Sequence, residues 1–174
     1  MNEHGTNNAD GLTVLAIGGN LPGAYGSVIS ALEAASDRLA AAGLAPIRRS
    51  RWWRSAAWPD PGDPPFVNGV VLVRTSLAPF DVLGLLRAIE AEFGPREGAR
   101  NSPRVLDLDL IAAGRAILNT PSLTLPHPRA AERYFVMGPL AEIAPDWRHP
   151  VLNQTASALA ARATIGKDAR PLEE

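Results

Sequence analysis

The sequence predicts an α+β sandwich with a β-α-β-β-α-β order of elements and further elements after it. Three observations carry that expectation. Residues 25–42 and 77–93 repeat apolar side chains at helical spacing. Shorter runs, of which 66–75 is the clearest, are rich in valine and other β-forming residues. Between them stand breaks bearing Gly and Pro, which punctuate the chain into short connections. A chain of 174 residues that is 46% hydrophobic and 20% charged suits one domain with a sizeable core. Helices set against a sheet in this order match a ferredoxin-like fold with its helices on one sheet face.

Taken in order, residues 1–11 are polar and read as a disordered tail, leaving 12–174 as a single domain. Residues 12–17 form a short apolar strand that stops at Gly18-Gly19-Asn20. Val28, Ile29, Leu32, Ala35 and Leu39 mark the stripe of the first helix, and Gly43 ends it. Residues 47–54 read as a strand in which Trp52 and Trp53 put one ring on each side. Four prolines in 55–65 exclude helix and central strand there. On the following strand Val67, Gly69, Val71 and Val73 share one face, and Phe66, Asn68, Val70 and Leu72 the other. Val82, Leu83, Leu86, Ile89 and Phe93 stripe the second helix. A polar loop with arginines spans 94–103, and 105–112 is the fourth strand of the core order. Beyond it, 119–126 is extended, 133–143 helical and 155–163 a terminal amphipathic helix.

Composition removes several functions. A net charge of −1 gives no basic field for nucleic acid or an anionic membrane. Neither a run of spanning length nor a leader-like start is present. With no cysteine, disulfides, thiolate metal sites and thiol catalysis are excluded, which is compatible with a reducing cytosol without establishing it. A cytoplasmic location and a monomer are separate expectations. Of 17 basic residues only Lys167 is lysine, and no Gly-rich loop precedes it, so a lysine-bearing phosphate loop is absent. Phosphate handling would fall to arginine forks.

The sharpest chemical signal is Arg104-Val105-Leu106-Asp107-Leu108-Asp109-Leu110. On a strand the two carboxylates leave the same face about 7 Å apart, while the leucines point into the core. Like charges held so closely call for a cation, and hard oxygen donors suit Mg²⁺ with phosphate oxygens in its remaining positions. The alternative is a solvent-facing acidic edge. Arg96, Arg100 and Arg104 precede the pair and Arg133 follows it, a set suited to a polyphosphate or to salt bridging within the loop. His127, held between Pro126 and Pro128, is a ligand-facing or a plain surface imidazole. Phe66 and Asn68 can stack on and hydrogen-bond a flat heterocycle, or simply pack beside the loop. A polymerase-β-type nucleotidyltransferase is excluded, because its carboxylates would follow the glycine turn closely and here they come far later.

The succession Ile17-Gly18-Gly19-Asn20-Leu21, Phe66-Val67-Asn68, Glu90, Pro103-Arg104-Val105-Leu106-Asp107-Leu108-Asp109, Leu125-Pro126-His127 and Arg133-Tyr134-Phe135 resembles the 6-hydroxymethyl-7,8-dihydropterin pyrophosphokinase family. The resemblance covers roughly 12–147. It implies transfer of diphosphate from MgATP to the pterin hydroxymethyl group, with release of AMP, in folate biosynthesis. By that likeness Asp107 and Asp109 hold two Mg²⁺ ions, and Phe66 and Phe135 sandwich the pterin. Asn68 and the backbone of Ser55, Ala56 and Trp58 read its edge. Glu90, Leu110, Thr124 and His127 contact ATP, and Arg104 and Arg133 stabilise phosphate charge, joined by Arg100 as a lid over 94–103 closes. Asp107 is the candidate base. ATP and the pterin are the expected small-molecule partners, with no nucleic acid or membrane.

The chain departs from the family pattern at four places. Gly19 replaces the usual Ser, Asn101 a lid Trp, and Pro128 an aromatic, while Gly94-Pro95-Arg96 belongs to a shortened lid loop. A catalytically weak pterin- or nucleotide-binding relative and a ferredoxin-like interaction domain are the competing expectations.

Overall fold

The computed structural model describes residues 9–94 and 102–173. Arg96, Arg100, Asn101 and the expected lid therefore lie outside the described residues for the most part. So does the tail over 1–8. Residues 9–11 correct the tail expectation: Ala9–Gly11 forms a 3-10 turn with Ala9 buried, and Asp10 accepts a hydrogen bond from the Arg148 amide at 2.9 Å.

One antiparallel sheet organises the fold. Its strands are β1 (Thr13–Gly19), β2 (Pro46–Arg49), β3 (Trp53–Ser55), β4 (Phe66–Val73), β5 (Asp107–Ala113) and, after a separate hairpin of β6 (Leu118–Asn119) and β7 (Thr124–Leu125), β8 (Arg170–Pro171). The order across the sheet is β5-β1-β4-β3-β8, with β2 beside β4 as well. That places β1 and β4 at the centre, as the ferredoxin-like order requires.

The single strand expected over 47–54 is two. Ser50 interrupts it, because its amide donates to Val70 O at 2.9 Å while its hydroxyl accepts the Val70 amide at 3.0 Å. A side chain has taken the place of a backbone carbonyl, which ends regular pairing. The two indole rings do part as expected: Trp52 enters one core, and Trp53 meets the Tyr134 ring edge-on at 5.8 Å between centroids on the other side.

Helices α1 (Val28–Ala41) and α2 (Pro79–Glu92) cover one face, burying Leu32, Leu39, Val82, Leu86 and Ile89 against Leu15, Ile17, Val71, Leu108 and Leu110. Ser27 caps α1 by accepting the Ser30 amide, and Pro79 opens α2, where a missing N–H costs nothing. Both are slightly shorter than the spans 25–42 and 77–93 expected from sequence; 23–25 is a separate 3-10 turn.

Coverage of one face alone is the expectation that the structure corrects. Val14, Val70, Leu72 and Ile111 make the opposite face apolar too, and it needs its own cover. Helices α3 (Tyr134–Ile143) and α4 (Ala156–Arg162), with Trp147, bury it. Their cover stops short of one end of the sheet, where that face turns polar. Among the described residues no helix is long and apolar enough to cross a membrane.

Candidate active site

The uncovered end is floored by small residues. Register sets Gly18 of β1 between Asn68 of β4 and Asp107 of β5, and Ala16 between Val70 and Asp109 one row further in. Adjacent strands lie close to 5 Å apart, so the backbones of Asn68 and Asp107 stand about 10 Å apart across Gly18. A Cβ at Gly18 would collide with the Asn68 amide oxygen. The Asn68 side chain thus lies over Gly18, in room that the missing side chain of β1 leaves.

Walls rise on three sides to enclose about 920 Å³ of empty space, its open mouth included. Phe66 and Asn68 come from β4, and Ser55, Ala56 and Trp58 from the end of β3 and the loop after it. Phe135, Arg133 and Arg129 come from α3 and its approach. Trp58 is 61% exposed at the rim, whereas Phe66 and Phe135 are half-buried. The Arg133 guanidinium lies 5.7 Å from the Phe135 ring centroid, close enough for a cation–π contact.

A second cleft of about 690 Å³, its open mouth included, runs along the outer edge of β5, between α2 and the 121–124 turn. Thr124, His127, Arg87 and Leu110 line it, and Asp109 belongs to the walls of both clefts. Strand β5 is therefore a partition with an aromatic, amide-lined chamber on one side and a polar trough on the other.

Supports behind β5 fix the acidic pair. The buried Glu90 carboxylate accepts the Leu108 amide at 3.3 Å, between the two aspartates. Asn20, 2% exposed, accepts the Arg104 amide at 2.9 Å and donates its own side-chain amide to Pro64 O at 3.0 Å. Its backbone N–H donates to Arg104 O at 3.0 Å. The Arg104 guanidinium then reaches Asp107 at 3.5 Å. His127 donates its backbone N–H to Ile111 O at 2.8 Å, and its Nδ1 accepts the Arg129 amide at 3.2 Å, leaving the ring proton on Nε2. Burial, with the Arg133 and Arg129 charges added, pushes its pKa down to about 4, so the imidazole is neutral at pH 7.

The model of the 7,8-dihydro-6-hydroxymethylpterin-pyrophosphokinase (HPPK) family matches residues 14–145. The chain belongs to this family. It is 44% identical over 143 residues to the 2-amino-4-hydroxy-6-hydroxymethyldihydropteridine pyrophosphokinase of Synechocystis sp., across 82% of this chain and 71% of that protein. It is 36% identical over 137 residues to the folic acid synthesis protein fol1 of Pneumocystis carinii, spanning 79% of this chain but only 18% of that one. The Plasmodium falciparum HPPK-DHPS crystal structure shares the fold with a TM-score of 0.67 at 14% identity, over 92% of this chain and 44% of that one.

Set against this pyrophosphokinase family, the site residues expected from sequence divide into four groups. Asp107, Asp109, Arg133, Ser55, Ala56, Trp58, Phe66, Asn68 and Phe135 gather around the first chamber. Leu110, Thr124 and His127 line the second, although Leu110 also buries its side chain in the core. Glu90 stands behind β5 and Arg104 beside Asp107, while Arg100 lies outside the described residues. Ala16, Arg87, Arg129, Ile165 and Gly166 were not foreseen as lining residues. The small-residue alternation Ala16-x-Gly18 was the available signal for the floor; single arginines in a helix or turn gave none.

Among the described residues no group of three or more His, Asp or Glu side chains is assembled for a metal. The donors on hand are the two hard carboxylates. They fit Mg²⁺ of the kind that keeps most of its positions for water and phosphate oxygens.

Proposed function

We propose that this pyrophosphokinase carries the diphosphate of ATP across the β5 partition to the hydroxymethyl oxygen of a 6-hydroxymethyl-7,8-dihydropterin, releasing AMP, and that Asp107 and Asp109 are its metal ligands. The carrying observation is Asp109 in the walls of both clefts, which puts the acidic pair where a triphosphate from one would meet an alcohol from the other. In the transfer the pterin oxygen bonds to the β-phosphorus, the bond from that phosphorus to the α-phosphate bridging oxygen breaks, and the hydroxymethyl proton is released. Two Mg²⁺ ions bound with the nucleotide would neutralise phosphate charge. Arg104 and Arg133 add fixed positive charge beside the carboxylates, which suits a reaction limited by positioning and electrostatics.

Phe66 and Phe135 offer ring faces to the pterin, and Asn68 offers both a donor and an acceptor to its edge. The His127 Nε2–H and Thr124 serve the nucleotide in the trough. The enzyme acts as a cytoplasmic monomer on these two small molecules. Incubation with MgATP and the hydroxymethyldihydropterin tests the reading: AMP is the expected nucleotide product, and stoichiometric ADP with a monophosphorylated pterin would overturn it.

A further inference from the structure

Residues 164–172 cross from the α3 side of the pterin chamber to the β3 side. The family match ends at residue 145, so this stretch lies beyond it. At its start Thr164 and Ile165 donate to Glu132 O at 3.1 and 3.0 Å, and Ile165 O accepts the Tyr134 amide at 2.8 Å. Arg133 and Phe135, which flank Tyr134, are thereby held from behind. Gly166 follows with φ +72°, and a Cβ there would fall 2.5 Å from the Phe135 ring. The ring rests where only glycine allows it. Ile165 and Gly166 themselves face the chamber.

At its far end the stretch takes hold of the opposite wall. The Asp168 carboxylate accepts the Ala56 amide at 2.7 Å, Arg170 and Pro171 pair with Arg54 and Trp53, and the Leu172 amide donates to Trp52 O at 2.8 Å. Asp168 and Ala56 are both exposed, and their one charge-assisted bond ties the strap to the wall next to the buried Ser55.

We propose that residues 164–172 are a strap that sets the width of the pterin chamber, with Asp168 and Gly166 as positioning residues at its two ends. This rests on the reading of that chamber as the pterin site. The lining of the β5-edge trough comes from α2, β5 and 121–128, with no residue of the strap in it. Its contribution is selective: it governs pterin affinity and leaves nucleotide affinity alone.

Calorimetric binding of 6-hydroxymethylpterin in the presence of Mg²⁺ and α,β-methylene-ATP tests it, with nucleotide binding measured separately. Asp168→Ala is expected to weaken pterin binding about 5- to 10-fold, the scale of one lost hydrogen bond. Asp168→Asn keeps an acceptor oxygen and should restore most of it. Gly166→Ala, which must displace the Phe135 ring, should weaken pterin binding at least as much. Nucleotide affinity should be unchanged in both Asp168 variants, whose lost bond lies on the β3 side of the chamber. Unaltered pterin binding in Asp168→Ala, equal loss in Ala and Asn variants, or a matching fall in nucleotide affinity would each overturn the strap. Failure of the unmutated enzyme to bind pterin would instead overturn the reading on which it rests.

Discussion

Asp107 and Asp109 leave the partition strand side by side, half-buried, with Arg104 at 3.5 Å from one of them. Removing either carboxylate relieves repulsion and takes nothing from the hydrophobic core, so Asp107→Ala and Asp109→Ala should fold with an unchanged melting temperature. Each should lower turnover about a hundredfold or more, since electrostatic stabilisation carries the reaction. An unchanged rate at saturating Mg²⁺ would mean the pair is only a polar strand face. Asn68→Ala should weaken pterin binding by about 1–3 kcal/mol, because it leaves polar ring edges unpaired against a dry wall. Calorimetry with a nucleotide analogue present reads this directly. His127 carries a pH signature. Its native pKa of about 4 lies below the ordinary 6.5, so on acidification the unfolded chain takes up the proton first. The stability this gives is complete above 6.5 and is lost as the pH falls toward 4. Denaturant titrations should therefore show the unmutated protein losing more stability than His127→Gln across that window; parallel losses would contradict the burial of the imidazole.

At the level of elements, α3 meets β3 with little room to spare. A Cβ at Gly138 would lie 2.8 Å from the Trp53 ring, and the ring is wedged edge-on against Tyr134. Gly138→Ala, favourable for helix propensity, should nonetheless destabilise by about 1–3 kcal/mol through overpacking. A variant as stable as its parent would show that the ring can move aside. What the sequence disclosed followed the strength of its repeats. The alternation in 66–73 revealed both faces of β4, including Phe66 and Asn68 beside each other on the site side, because a pleat admits no other arrangement. The same alternation placed Asp107 and Asp109 opposite the buried leucines. The split of 47–54 stayed hidden, since a serine replacing a ladder partner leaves no periodic trace. Strand β8 was equally silent: two residues, one of them proline, owe their conformation to β3 rather than to themselves. Asn20 appeared in a recognisable motif but its work, clamping Arg104 and Pro64 together, depends on contacts far apart in sequence.

Across the whole molecule two hydrophobic cores share one sheet, and β1, β4 and β5 give residues to both. Neither core can lose its strands without exposing the other, so unfolding should be one cooperative transition. Tryptophan makes this measurable: Trp52 reports the α1–α2 side and Trp147 the α3–α4 side. Single-tryptophan variants should give coincident denaturation curves, and separated midpoints would show that the layers come apart independently. The pairing of β8 with β3 also has a consequence for a chain made from its N-terminus. Strand β3 leaves the ribosome long before its neighbour exists, by roughly ten seconds at ordinary rates of synthesis. For that interval one edge of the sheet offers unpaired N–H and C=O groups to any passing chain. Only three residues, Trp53–Ser55, make up that edge, and Pro59 and Pro61 follow soon after. So short a strand, ending toward prolines, is a poor template for association between nascent copies.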